Sequence, residues 1–211
     1  MNSKPFKNAF STVVIFAAWW VLRFHLMFKL RSFILNHIST HGSGRVFLSH
    51  GLIVLEALIL FAIYSYFRRR NDVTDFSIVE KIGPSIKSGL LVGILIFVIS
   101  IPVALHLGMK FHPQFSKSEF IGNIFSNAGE ELIYRGILLA AGLSLSKSTW
   151  LAVLISAIAF GLEHWDMPYT FQGYAAVIGL ILGYSFVKSK SLTAPYVAHM
   201  IADVLLDSLF R

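Results

Sequence analysis

Long apolar segments limit this chain of 211 residues to one broad class of fold. Runs of about 20 residues with few charges recur along it, and an α-helix of that length crosses the hydrocarbon core of a bilayer. Hydrophobic residues make up 55% of the chain and charged residues only 14%, whereas a soluble domain averages about a quarter charged. The sequence therefore predicts an all-α, polytopic transmembrane helix bundle.

We place about seven spans, at residues 10–28, 46–67, 88–107, 120–145, 149–164, 174–187 and 192–209. A chain of this length is expected to form one integrated membrane domain. Residues 1–119 carry spans and connectors without a recognisable motif. Residues 120–209 carry polar side chains inside apolar runs, so the functional site is expected there.

Basic residues between the apolar runs favour an N-terminus inside the cell. Lys4, Lys7, the arginine run at 68–70, Lys147 and Lys188 all fall on that side of a seven-span arrangement. The net charge of +7 therefore suits the headgroups of membrane lipids, and no basic patch interleaved with aromatic residues predicts nucleic-acid binding. We expect a multi-pass protein of the cell membrane, and its class suggests a bacterial cytoplasmic membrane.

The chain contains no cysteine. This excludes disulfides, thiolate nucleophiles and cysteine-based zinc sites.

Two adjacent carboxylates and an arginine lie inside the fourth apolar run, in Glu130-Glu131-Leu132-Ile133-Tyr134-Arg135. Charge at that depth is costly and marks a functional site by default. Glu131 and Arg135 are four residues apart, share a helix face and should form an ion pair. Glu130 is rotated about 100° away and is available as a general base. The alternative is that all three belong to one structural ion network.

The next apolar runs bring two histidines. Phe160 and His164 are four residues apart at the end of the fifth span, and His199 and Asp203 have the same spacing in the seventh. The structural alternatives are an interfacial histidine at 164 and a His–Asp pair that pins two helices together. Asp207 continues the stripe of Asp203 and, near the chain end, is expected to be solvated.

The three motifs, in this order, resemble the CPBP family of intramembrane proteases, which includes the type II CAAX prenyl proteases and bacteriocin-processing and immunity proteins. That family's pattern is Glu-Glu-x-x-x-Arg, then Phe-x-x-x-His, then His-x-x-x-Asn or Asp. The chain matches it over about 90 residues with Glu130-Glu131 and Arg135, Phe160 and His164, and His199 and Asp203.

The resemblance implies an integral-membrane endopeptidase, like a CAAX protease or a bacteriocin-processing enzyme, that acts on a peptide or lipidated protein. Glu130 and His164 would activate a water molecule around an internal polar cavity, and His199 and Asp203 would then stabilise the oxyanion. Glu131 and Arg135 would hold the site in shape. This mechanism requires no cofactor.

Asp203 stands where the prenyl-protease branch has asparagine, and an ionised carboxylate would repel a developing oxyanion. It could act in a protonated form, or fix the tautomer of His199. It could instead join Glu130, His164 and His199 as a zinc ligand, although no His-Glu-x-x-His motif is present.

Two other classes of function use the same side chains. Chains of acids and histidines also mark proton or ion paths in small transporters. A non-catalytic immunity or scaffold protein could keep the fold and bind a partner. In the second span, Glu56 is expected to pair with Arg23 of the first. The sequence predicts neither the substrate nor the oligomeric state.

Overall fold

The computed structural model describes residues 82–145 and 148–211, together with single positions between Lys29 and Tyr66. The first two predicted spans and the proposed Glu56–Arg23 pair lie outside the described residues. Within 82–145 and 148–211 the fold is all-helical, apart from one isolated bridge between Phe111 and Phe210. The predicted all-α class is confirmed for this part of the chain.

Each of the last five predicted spans is a helix. In chain order these are α1 (Ile82–His106), α2 (Lys117–Glu131), a π-helical stretch (Leu132–Leu139), α3 (Ala140–Leu145), α4 (Thr149–Glu163), α5 (Tyr169–Ser189) and α6 (Thr193–Leu209). α2, the π-helical stretch and α3 follow one another directly and together form the predicted fourth span. The sixth span begins five residues earlier than predicted, at Tyr169.

Two of these helices, α1 and α5, are long and apolar enough to cross a membrane, and α4 is a shorter apolar helix. This finding concerns the described residues only. Leu91, Ile94, Leu95 and Val98 of α1 each expose half or more of their surface. An apolar helix with an exposed apolar face suits a lipid environment.

Polar residues fix where the helices begin and end. The Ser116 hydroxyl accepts a hydrogen bond from the backbone N–H of Glu119, and Ser148 does the same for Leu151, so both serine residues act as N-caps. α5 ends at Ser189, and the next residue, Lys190, has a left-handed φ of 52°. The Ser116 cap thus places the start of α2 more than three turns before the paired glutamates.

Small residues let α1 and α6 pack closely. A Cβ atom added to Gly89 would lie 2.7 Å from the carbonyl oxygen of Ala194, and one added to Gly93 would lie 2.7 Å from that of Ala198. Close backbone approach of this kind is typical of helix pairs in membranes. It fixes the position of α6, which carries His199.

The connector between α1 and α2 covers the end of α6. The backbone N–H of Gln114 donates to the carbonyl of Ser208, and that of His112 donates to Leu209, both at 2.8 Å. The last carbonyls of a helix have no partner inside the helix. The connector therefore completes the hydrogen bonding at this end and holds α2 beside α6.

Candidate active site

A buried trio lies where the end of α2 meets α6. Glu131 Oε1 lies 3.1 Å from the guanidinium of Arg135 and 2.9 Å from Nδ1 of His199. The side chains of Arg135, Glu131 and His199 are 0%, 2% and 9% exposed. The predicted pairing of Glu131 with Arg135 is confirmed. The contact of Glu131 with His199, which lies 68 positions later in the chain, was not predicted from the spacing of residues.

Arg135 is held by two further elements. Its second terminal nitrogen donates to the carbonyl oxygen of Gly179 in α5 at 3.3 Å, and its guanidinium lies 4.7 Å from the ring centre of Phe160 in α4. A cation over an aromatic face gains electrostatic attraction where water is absent. Arg135 therefore connects three helices around the carboxylate of Glu131.

The other face of His199 meets two more carboxylates. Nε2 lies 3.6 Å from Oδ2 of Asp203 and 3.9 Å from Oε2 of Glu130. The second oxygen of Glu130, Oε1, accepts a hydrogen bond from Ser126 at 3.2 Å. The predicted shared face of His199 and Asp203 is confirmed. Both ring nitrogens of His199 therefore face carboxylates. The closest carboxylate is that of Glu131, which lies beside Nδ1.

Two asparagines of α2 that the sequence analysis did not single out contact the acids of α6. The amide of Asn127, which is buried, donates to Asp203 at 2.9 Å, and that of Asn123 donates to Asp207 at 2.8 Å. Asp207, which the sequence analysis expects to be solvated, is partly exposed and accepts this hydrogen bond as well. The available signal was the spacing of Asn123, Asn127 and Glu131, which recur every four residues.

His164 lies beside this cluster and is half-buried. Its Nδ1 is 3.0 Å from the carbonyl oxygen of Phe160. The Phe160 ring makes edge contacts with both imidazoles, at 5.2 Å to the His164 ring and 5.7 Å to the His199 ring. Phe160 thus links the two histidines. The expectation that His164 and Glu130 orient one water molecule stays a prediction.

The four predicted zinc ligands all lie in the described part of the chain. Within that part, no group of three or more histidine, aspartate or glutamate side chains is arranged to hold a metal ion. Nδ1 of His199 is bonded to Glu131, and Nδ1 of His164 is bonded to a backbone carbonyl. These hydrogen bonds engage Nδ1 only, and a metal-bound histidine commonly donates its other ring nitrogen to a carboxylate or a carbonyl. The zinc alternative therefore stays a prediction, and the proposed mechanism uses the residues of the chain alone.

Residues 118–205 match the family model described as type II CAAX prenyl endopeptidase Rce1-like. No curated protein and no solved structure matches the chain. The matched segment runs from the first turn of α2 to two residues beyond Asp203. It contains all six predicted site residues, and it confirms the resemblance drawn from the three motifs.

Proposed function

We propose that this chain hydrolyses a peptide bond with water activated by Glu130. Residues 118–205 match the model of the Rce1-like type II CAAX prenyl endopeptidases. The family match supports a membrane protease. One observation supports the assignment of roles to the residues. Glu131 binds Nδ1 of His199, and Nε2 of the same ring faces Glu130 and Asp203.

Glu130 is the proposed general base. Its Oε1 is held by Ser126, which leaves Oε2 on the side of His199. The 3.9 Å between Oε2 and Nε2 is too long for a direct hydrogen bond. One water molecule beside them can reach both atoms, as bridging waters commonly do between groups at such separations.

His164 supports the same step. A carbonyl oxygen can only accept, so Nδ1 of His164 donates to Phe160, and in the neutral imidazole Nε2 then carries the lone pair. That nitrogen can take up a proton. This assignment suits the role that the family resemblance gives to His164, as a partner of Glu130 in deprotonating water.

His199 stabilises the oxyanion in this mechanism. The carboxylate of Glu131 accepts the Nδ1–H of His199, and the protonated ring has a second N–H at Nε2. Glu131 and Arg135 are positioning residues, because they orient His199 and do not face the reacting atoms. Asn127 donates to the carboxylate of Asp203 and so fixes the orientation of that carboxylate beside Nε2 of His199.

The reaction balances without a further reactant. Glu130 removes a proton from water as the oxygen attacks the scissile carbonyl carbon, and the carbonyl oxygen becomes the oxyanion. The carbon–nitrogen bond then breaks, and the proton passes from Glu130 to the departing amine. The products are a carboxylic acid and an amine. The substrate is a peptide or a prenylated protein segment that reaches the site within the membrane.

The test is the Glu130→Gln variant, which keeps the shape of the side chain and removes the base. We expect it to abolish cleavage of a prenylated CAAX peptide by the reconstituted protein, and to abolish the matching new termini in membrane proteomics. Asp166→Asn is the matched control, because Asp166 is an exposed acid outside the site. Cleavage that persists in Glu130→Gln would remove the proposal.

A further inference from the structure

A continuous row of polar contacts connects α2 to the C-terminal segment. Four pairs recur every four residues on both sides, at 2.8 to 2.9 Å, and we call them the polar seam: Glu119–Arg211, Asn123–Asp207, Asn127–Asp203 and Glu131–His199. Residues four apart lie on one helix face. Two antiparallel segments therefore face each other with polar side chains at every turn.

The polar seam leads from the surface to the candidate active site. The side chains of Glu119 and Arg211 are 48% and 38% exposed, whereas that of Glu131 is 2% exposed. The twelve steps along the helix from Glu119 to Glu131 span roughly 18 Å. Asp203, one turn before the buried end, still exposes 33% of its side chain. On the α6 side of the row, exposure therefore extends inward as far as Asp203, whereas Asn127 on the α2 side is buried.

A surface cleft lies at the outer end of the polar seam. It is lined by Glu119, Asn123, Asp207 and Ser208 together with apolar side chains, including Phe115 and Phe120. Both residues of the second pair therefore line a surface cleft. This observation is independent of the hydrogen bonds within the seam.

Packing of two helices does not by itself require such a row. α1 meets the same helix α6 through glycine and alanine, without charged pairs at Gly89 or Gly93. Buried polar pairs are often no more stabilising than apolar residues of the same volume. A seam with acids and amides at every turn is therefore best explained by a need for water at that interface.

We propose that the polar seam is a hydrated path by which water reaches Glu130 and His199 from the aqueous phase. The inference rests on the proposed function, since each cycle of hydrolysis consumes one water molecule at a site surrounded by apolar helices. Side-chain amides and carboxylates provide the hydrogen-bond partners that single waters need in a narrow passage.

Cysteine labelling tests the path without requiring activity. The chain has no cysteine of its own, so single substitutions report one position each. Asp203→Cys is compared with Ala202→Cys, its buried neighbour at the same depth, and Asn123→Cys with Ile121→Cys, which is apolar and exposed. The probe is a charged methanethiosulfonate reagent applied to the protein in lipid vesicles.

The thiolate is the reacting species, and apolar surroundings disfavour it. We expect the seam cysteines to react at least about tenfold faster than their controls, because one pKa unit changes the thiolate fraction about tenfold. Labelling after denaturation in detergent gives the total thiol, and size-exclusion chromatography identifies any variant that fails to fold. Equal rates at seam and control positions in folded protein would overturn the proposal.

A second arm tests whether the path serves catalysis. Modifying Asn123→Cys with a bulky, uncharged methanethiosulfonate should lower the cleavage rate severalfold, and a reductant should restore it. The same modification of Ile121→Cys should leave the rate unchanged. If the seam cysteines label fast and the Glu130→Gln variant still cleaves the peptide, the hydrated path is supported and the proposed function is refuted. Slow labelling together with loss of cleavage in Glu130→Gln would do the reverse.

Discussion

Replacing Arg135 with methionine should strongly destabilise the protein, because it leaves the buried carboxylate of Glu131 with His199 alone in place of the Arg135–His199 pair of partners. Arg135 is 0% and Glu131 2% exposed, so solvent cannot compensate for the missing charge. Removing one partner of a buried ion pair costs about 3–5 kcal/mol. We expect about 3 kcal/mol, more than a hundredfold in the unfolding equilibrium, because chains unfolded within a membrane also find polar partners.

The assay is equilibrium unfolding in mixed detergent micelles. Arg211→Met is the matched control, since Arg211 pairs with Glu119 at 2.9 Å but both side chains are substantially exposed. An exposed pair contributes less than about 1 kcal/mol. A cost for Arg135→Met no larger than that of the control would refute the reasoning about burial.

The double variant Glu131→Gln/Arg135→Met separates stability from catalysis. It removes both charges, so we expect it to recover most of the lost stability. His199 would then have only a neutral amide oxygen beside Nδ1, and cleavage should stay at least about a hundredfold below wild type. Recovery of cleavage together with stability would show that Glu131 and Arg135 serve the fold alone.

Three further changes have distinct expected outcomes. Gly93→Leu should destabilise the protein by about 1–3 kcal/mol, because its Cβ would meet the carbonyl of Ala198 at 2.7 Å, whereas Gly173→Ala meets open space and should be tolerated in the same unfolding assay. Phe160→Leu should lower kcat more than it raises KM for the CAAX peptide, since the ring contacts Arg135 and both imidazoles. Prolonged treatment with phenanthroline should leave cleavage intact, and a loss that added zinc restores would favour the metal alternative.

Contacts within one helix could be predicted from the sequence. Glu131 with Arg135 and His199 with Asp203 both follow from a spacing of four residues, which helix geometry converts into a shared face. The helices themselves follow from apolar length. Neither inference requires knowing how one helix lies against another.

Contacts between helices could not be predicted, since they depend on the register of α2 against α6. Features distant from the site contribute to that register, including the hydrogen bonds by which the connector before α2 binds the end of α6 at Ser208 and Leu209. Asn123 and Asn127 also carry no charge. The free-energy cost of placing a charge inside a membrane, which marks the glutamates as functional candidates, therefore does not single them out. The π-helical stretch after Glu131 has no sequence pattern comparable to a capping box.

The distribution of polar and apolar surface restricts how water can reach the site. α1 and α4 present apolar side chains outward, including Leu91 at 64% and Trp150 at 61% exposed, and such faces suit lipid. The acids and amides instead face one another between α2 and α6. Polar groups at membrane depth are tolerated where they are buried in protein or wetted. In the described part of the chain, the seam is therefore where hydration and catalysis can coincide, so its asparagines should affect turnover although they touch no substrate.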